Sequence, residues 1–286
     1  MASTPLSHQS LSGVETTVYQ KSISMFRNKI IWITGASSGI GEAVALALID
    51  EGAVVIASAP FLEELELVKN KSSHPENFHC VPLDLMQSET LEPLAKRLIE
   101  QFDRIDILVN NAGISQRALA VDTPIEVDRK IMEIDYFGSV ILTKAVLPQM
   151  IKQGGGHLVC TSSLVGVFGF PLRSAYSAAK HAMHGFFESV RIENYQHNIN
   201  VNIIIGGRIK TNVSLNAVMA DGKAYGKMDA GQNKGITPQK AAQQILNGIR
   251  KNRPEILVGG SELLMIKIKR WLPGLHGFLS RKIAWT

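Results

Sequence analysis

The apolar run Ile30-Ile31-Trp32-Ile33 leads straight into Thr34-Gly35-Ala36-Ser37-Ser38-Gly39-Ile40-Gly41, and that into the helix-forming run Glu42-Ala43-Val44-Ala45-Leu46-Ala47-Leu48. A strand, a glycine turn and a helix in immediate succession leave few architectures open. A short unbroken apolar run suits a strand buried on both faces, as in a parallel sheet covered by helices. The glycines permit positive φ and keep side chains clear of whatever approaches the turn. The helix that follows aims its free N–H groups and positive dipole end at the same point, which makes the turn a cradle for a pyrophosphate. The spacing is G-x-x-x-G-x-G rather than G-x-G-x-x-G, and alone such a turn also occurs as a mere tight turn.

The alternation continues down the chain. Runs near 30–34, 54–59, 78–82, 105–110, 157–162, 201–205 and 255–258 read as strands. Amphipathic stretches near 40–51, 61–70, 88–102, 125–152, 174–196 and 238–252 read as helices. This is the rhythm of an α/β fold, a doubly wound (Rossmann) seven-stranded parallel sheet with helices on both faces. At 286 residues and 45% hydrophobic content the chain can bury one substantial core, and no repeat or Pro/Gly/Ser linker divides it. The expected organisation is a flexible arm over 1–28, a single nucleotide-binding domain over 29–260 with a substrate loop at 206–235, and a basic amphipathic tail over 261–286.

The arm lacks a basic stretch followed by an apolar core, so it does not read as a secretory signal, and no run of eighteen apolar residues suggests a membrane span. Cys80 and Cys160 fall in predicted strands and read as reduced thiols of a cytoplasmic protein. Of the net charge of +5, most sits in the tail, where Lys267, Lys269, Arg270, Arg281 and Lys282 oppose Glu262. The body carries no basic stripe for nucleic acid. In the tail the cations interleave with Leu264, Ile266, Trp271, Leu275, Phe278 and Trp285. Residues 262–286 therefore suit contact with a membrane interface, or packing as a helix over the substrate cleft or a dimer contact.

Tyr176 and Lys180 lie four residues apart in Ala175-Tyr176-Ser177-Ala178-Ala179-Lys180, with Ser163 thirteen residues before the tyrosine. A free phenol gives up its proton only near pH 10, and a lysine ammonium one helical turn away favours the phenolate. On a helix surface this pair would carry no function. It is accompanied, however, by the glycine turn and by Asn110-Asn111-Ala112-Gly113, which ends the strand Ile105-Asp106-Ile107-Leu108-Val109. Through TGASSGIG at 34–41, NNAG at 110–113, Ser163 and YSAAK at 176–180, the chain resembles the short-chain dehydrogenase/reductase family over about residues 28–260. Thr211 to Ala217 and Tyr225 to Asp229 look like the member 7 and 7B branch.

The resemblance implies an oxidoreductase binding NAD(P) along the carboxyl ends of the strands, without a metal. Thr34, Gly35, Ser37, Ser38, Gly39, Ile40 and Gly41 would hold the pyrophosphate end, Asp84 and Leu85 the adenine, and Asn111, Ala112 and Gly113 the nicotinamide ribose side. Thr211 would meet the carboxamide. Tyr176 would be the general acid/base, Ser163 would hydrogen-bond the substrate oxygen, and Lys180 would serve both tyrosine and ribose. Ser162 lacks the offset of thirteen and reads as structural. Two positions depart from the family. Asp135, in Glu133-Ile134-Asp135-Tyr136-Phe137-Gly138, stands where asparagine is usual and holds a relay water behind the lysine; its charge favours protonated Lys180 and opposes the phenolate. Gly206-Gly207 replaces Pro-Gly, which is expected to loosen the loop leading to Thr211.

The second strand ends in Ala59-Pro60, with neither the acid that selects NAD nor an arginine for NADP, so NADP(H) is favoured with NAD(H) open. Leu164, Val165, Phe168, Phe170, Pro171 and the segment Val213–Met228 suggest a lipophilic ketone or aldehyde and its alcohol. The same motifs serve 3-oxoacyl-[acyl-carrier-protein] reductases, and a nucleotide-binding scaffold without catalysis is the third reading. Association as a homodimer or homotetramer through 125–152 and 174–196 is implied as well.

Overall fold

A computed structural model describes residues 24–282. Seven strands form one parallel sheet: β1 (Ile30–Thr34), β2 (Val54–Ala59), β3 (Phe78–Pro82), β4 (Ile107–Asn110), β5 (Gly156–Ser163), β6 (Ile199–Gly206) and β7 (Glu255–Val258). Their order is β3-β2-β1-β4-β5-β6-β7, so the direction of winding reverses between β1 and β4, where Ile33 pairs with Val109. Ligands of doubly wound sheets bind beyond the carboxyl ends of the strands at such a switch point.

Side-chain alternation divides the core in two. Ile31 and Ile33 face α1 (Gly39–Asp50), α2 (Leu62–Lys69) and α8 (Pro238–Arg250), with Val44, Leu48, Leu65 and Ile245 among the buried partners. Trp32, Leu108 and Leu158 face α3 (Ser88–Phe102), α5 (Gly138–Lys152) and α6 (Ser174–Glu193). The buried indole of Trp32 donates to Ser58 Oγ at 2.9 Å, so its one polar atom is satisfied. Two short helices, α4 (Ile125–Met132) and α7 (Ala230–Asn233), precede α5 and α8 respectively.

Three features differ from the periodicity. The helix expected over 125–152 is interrupted by a π-turn, Glu133–Phe137, which leaves α4 and α5 on either side and turns Asp135 into the interior. The tail is not one helix but two, α9 (Leu264–Trp271) and α10 (Pro273–Lys282), divided at Leu272, which leaves the helical region just before Pro273. The end of the expected arm is packed: Phe26 is fully buried, with the Arg250 guanidinium over its ring. The rest of the arm, residues 1–23, lies outside the described residues. Among the described residues no helix is long and apolar enough to cross a membrane.

Candidate active site

β1 ends at Thr34 and only four residues separate it from α1, with Gly35 at φ +66° and Gly39 at φ +59°. A Cβ on Gly35 would lie 2.8 Å from Ala112 Cα, and one on Gly41 only 2.1 Å from the Gly35 carbonyl oxygen. The turn is thus pressed against the end of β4. Thr34 Oγ1 accepts the N–H groups of Asn111 and Ala112, each at 3.0 Å. Asn111 Nδ2 donates back to the carbonyls of Thr34 (3.1 Å) and Gly35 (3.3 Å), while Thr161 Oγ1 donates to Asn111 Oδ1. Thr211 lies over the turn, its Cγ2 3.1 Å from where a Gly39 Cβ would stand. Ser37 and Ile40 are half-buried; Ser38 is exposed at the N-cap of α1, and its hydroxyl makes no capping bond.

Asp84 and Leu85 follow β3, at the edge of the sheet two strands from β1. Asp84 Oδ1 accepts the Met86 N–H at 2.9 Å, and Leu85 is buried against Gly138. A surface cleft of about 690 Å³ opens there, lined by Pro60, Asp84, Gln87 and Arg97.

Ser163 is the last residue of β5, half-buried, with Oγ accepting the Val165 N–H at 3.4 Å. Tyr176 and Lys180 occupy the first two turns of α6, and the Lys180 ammonium stands 5.7 Å from the centre of the Tyr176 ring. Lys180 is buried. Its Nζ donates to the Thr161 carbonyl at 3.0 Å and pairs with Asp135 Oδ2 at 3.1 Å. Asp135, fully buried, accepts the Ile114 N–H at 2.8 Å on its other oxygen. Gly113 makes room for both: a Cβ there would sit 3.0 Å from Asp135 Oδ2 and 3.1 Å from Lys180 Nζ. Where the resemblance implies a water between residue 135 and the lysine, the contact is direct. Burial raises the Asp135 carboxyl above its usual range, against the pull of Lys180. Burial also opposes the Lys180 ammonium, but the charges of Asp135 and Tyr176 outweigh it and hold the lysine above its ordinary value.

Ser162 points into the interior, where its Oγ shares a 2.9 Å hydrogen bond with His184 Nε2. The loop after β6 is tied despite its second glycine. Glu262 Oε1 accepts the Arg208 N–H at 2.7 Å, Gly207 N–H donates to Val258, and Ile209 bridges to Ile236. A Cβ on Gly207 would fall 2.3 Å from the Glu262 carboxylate, so a side chain here would push that carboxylate off its backbone partners.

Some residues around the site carry no motif. Gln116, fully buried, accepts the Ala175 N–H at 2.9 Å and so fixes the start of the helix bearing Tyr176. Asp229 is clasped by Arg117 (2.6 Å) and Arg173 (3.1 Å), tying the far end of the 213–228 segment to the body. Burial, then the like charge of Arg117, lowers Arg173 from the usual arginine value. Of the expected pocket residues, Val165 and Phe168 are core, and Phe170 lies under the Arg173 guanidinium.

A family model described as short chain dehydrogenase matches residues 29–220. The chain belongs to the short-chain dehydrogenase/reductase family. Short-chain dehydrogenase/reductase relatives include a "Dehydrogenase/reductase SDR family protein 7-like" of Drosophila melanogaster, 40% identical over 93% of this chain and 83% of its own. The "Dehydrogenase/reductase SDR family member 7B" of Xenopus laevis is 42% identical over 81% of this chain and 74% of its own, and these likenesses set the chain in the member 7/7B-like branch. Among solved structures, a short-chain dehydrogenase from Streptomyces avermitilis superposes with TM-score 0.73 at 28% identity, covering 88% of this chain and 99% of its own. A short-chain dehydrogenase/reductase from Burkholderia phymatum in complex with NAD gives TM-score 0.76 at 18% identity over 87% of this chain and 95% of its own, a likeness of fold. As a short-chain dehydrogenase/reductase, the protein is an NAD(P)-dependent oxidoreductase acting on CH–OH groups.

Proposed function

We propose that this oxidoreductase interconverts a lipophilic ketone or aldehyde and its alcohol with NADP(H), Tyr176 acting as general acid/base. The observation that carries the reading is the buried Lys180 ammonium, held by Thr161 and Asp135 beside the Tyr176 ring, one strand end from Ser163. The residues present fit a dinucleotide. Gly35 and Gly41 let the turn pack closely on β4 and on itself, so that it delivers the N-terminus of a twelve-residue helix, with its free N–H groups, to a point beside Asn111, Gly113 and Thr211. When bound, the nicotinamide supplies or accepts the hydride.

In reduction, Tyr176 gives its proton to the carbonyl oxygen, which Ser163 holds by a hydrogen bond; in oxidation Tyr176 takes the hydroxyl proton. Positioned proton transfer of this kind gives roughly 10²–10⁴-fold. Lys180 keeps positive charge beside the phenol, and its remaining N–H would serve the ribose hydroxyls of a bound nucleotide. Support for NADP(H) comes from the end of β2, where buried Ala59 is followed by exposed Pro60 with no carboxylate to repel a 2′-phosphate, and from the uncommitted hydroxyl of Ser38. Support for a lipophilic substrate comes from Leu164 and the Val213–Met228 segment. Self-association through 125–152 and 174–196 is supported by Ile125, Phe137 and Ile192, large apolar residues left exposed there. Free Cys80 and Cys160 suit a reducing, cytoplasmic setting; burial pushes both thiols up to about 12.

The test is titration with NADPH and NADH by nicotinamide fluorescence, followed by a panel of lipophilic ketones and an acyl-carrier-protein thioester. The expected result is tighter NADPH binding and ketone-dependent oxidation of NADPH that falls at least about 10²-fold in Tyr176→Phe with binding retained. Preference for NADH, turnover of the thioester alone, or an unchanged rate in Tyr176→Phe would each overturn the corresponding part.

A further inference from the structure

We infer that α9 and α10 form an interfacial foot which seats the protein on an anionic bilayer. The inward side of the segment is built into the fold. Ile266 is buried in the core on the α3/α5/α6 side of the sheet, and the Glu262 carboxylate accepts the N–H groups of Arg208 and Gly260. His276 is buried with its ring edge-on to Phe168 at 4.7 Å, in the loop between Ser163 and Tyr176. The foot therefore stands at the carboxyl edge of the sheet, next to the substrate side of the site.

The outward side is apolar and basic. Leu264, Lys267 and Trp271 follow one another at i, i+3 and i+7 along α9, and Leu275, Phe278 and Lys282 do the same along α10. Trp271 is 77% exposed and Phe278 56%, with Leu264, Leu272 and Leu275 exposed between them. Large apolar side chains left exposed along both helices call for an occupant. Charge decides which one. Lys267, Lys269, Arg270, Arg281 and Lys282 are all exposed, and the segment's one carboxylate, Glu262, is turned back onto backbone N–H groups. A second copy of this face would bring cations against cations. An anionic lipid surface accepts them while its acyl boundary takes the tryptophan, phenylalanine and leucines. That a substrate dissolved in the bilayer would then enter beside Phe168 rests on the reductase reading; the docking does not.

The experiment is co-sedimentation of the full chain with phosphatidylcholine vesicles, with and without phosphatidylserine, at low and high salt. Binding that needs phosphatidylserine and weakens with salt is expected. Each basic side chain near such a surface strengthens binding about fivefold, so Lys267→Glu with Lys269→Glu should weaken it by more than about tenfold. Trp271→Ala should weaken it independently of salt, and NADPH binding should survive in both variants, which shows that they fold. No phosphatidylserine-dependent sedimentation, or sedimentation indifferent to these substitutions, would overturn the inference. So would an oligomer in sedimentation velocity that the same substitutions dissociate, since a second copy would then cover the face. Because sedimentation needs no turnover, an inactive chain that binds vesicles sinks the reaction and leaves the docking, and an active chain that ignores them does the reverse.

Discussion

With its ammonium against the Thr161 carbonyl and the Asp135 carboxylate, Lys180 has committed two of its three donors before any ligand arrives. The charge balance around it follows from residue 135. An ionised Asp135 cancels at short range the positive charge that would otherwise favour a phenolate at Tyr176. Asp135→Asn keeps an acceptor for Ile114 N–H and removes that cancellation. The rising limb of the pH–rate profile for alcohol oxidation should therefore move to lower pH; a limb that stays in place would count against the electrostatic account. The Tyr-Lys spacing made this pair legible in sequence, because a separation of four on a helix puts the two side chains together. The direct Asp135 contact was not legible, since it depends on a π-turn that no periodicity signals. Gln116 was equally hidden: a buried amide that caps a helix from sixty residues away leaves no local pattern.

Among the elements, the glycine turn and β4 hold each other in place. Gly41→Ala puts a methyl into the Gly35 carbonyl, which is backbone and cannot step aside. We expect nucleotide affinity to fall by at least about tenfold, checked by NADPH titration, because the N–H groups of the cradle move with the turn. Behind the sheet, Asp106 joins β1 to the entry of β4. Its buried carboxylate accepts the Ile30 N–H at 2.9 Å and pairs with Lys29 and Arg104. Burial works against that carboxylate, but Arg104, the Ile30 N–H and Lys29 outweigh it and hold it below the usual range. A depressed folded-state value means stability present above pH ~4 and lost as pH falls through the folded value. Asp106→Asn should cost about 1–3 kcal/mol at pH 7 in denaturant titration, with the gap to the parent closing below pH ~4. The strands and long helices were legible because buried parallel strands are unbroken apolar runs and the helices keep a 3.6 period. In the tail an amphipathic helix was legible, but not its division into two at Leu272, since cations and apolar residues alternate there without one clean period.

Taken as a whole, the molecule presents Ile125, Phe137 and Ile192 on helices α4 to α6 and the turn between them, well away in sequence from the foot. If copies associate through these helices, Phe137→Glu with Ile192→Glu should yield monomer in sedimentation velocity without loss of vesicle binding. The order β3-β2-β1-β4 has a further consequence, for how the chain acquires activity. Thr34, Asn111, Ser163, Tyr176 and Thr211 come from successive parts of the chain, and the turn after β1 has no floor until β4 pairs with β1 across more than seventy residues. Closure of a loop that long is slow, and parallel strands gain little before it happens. The site is therefore assembled late and all together: a growing or refolding chain holds helix and strand long before it can hold a nucleotide, and the edge of β1 is open to wrong partners throughout that wait.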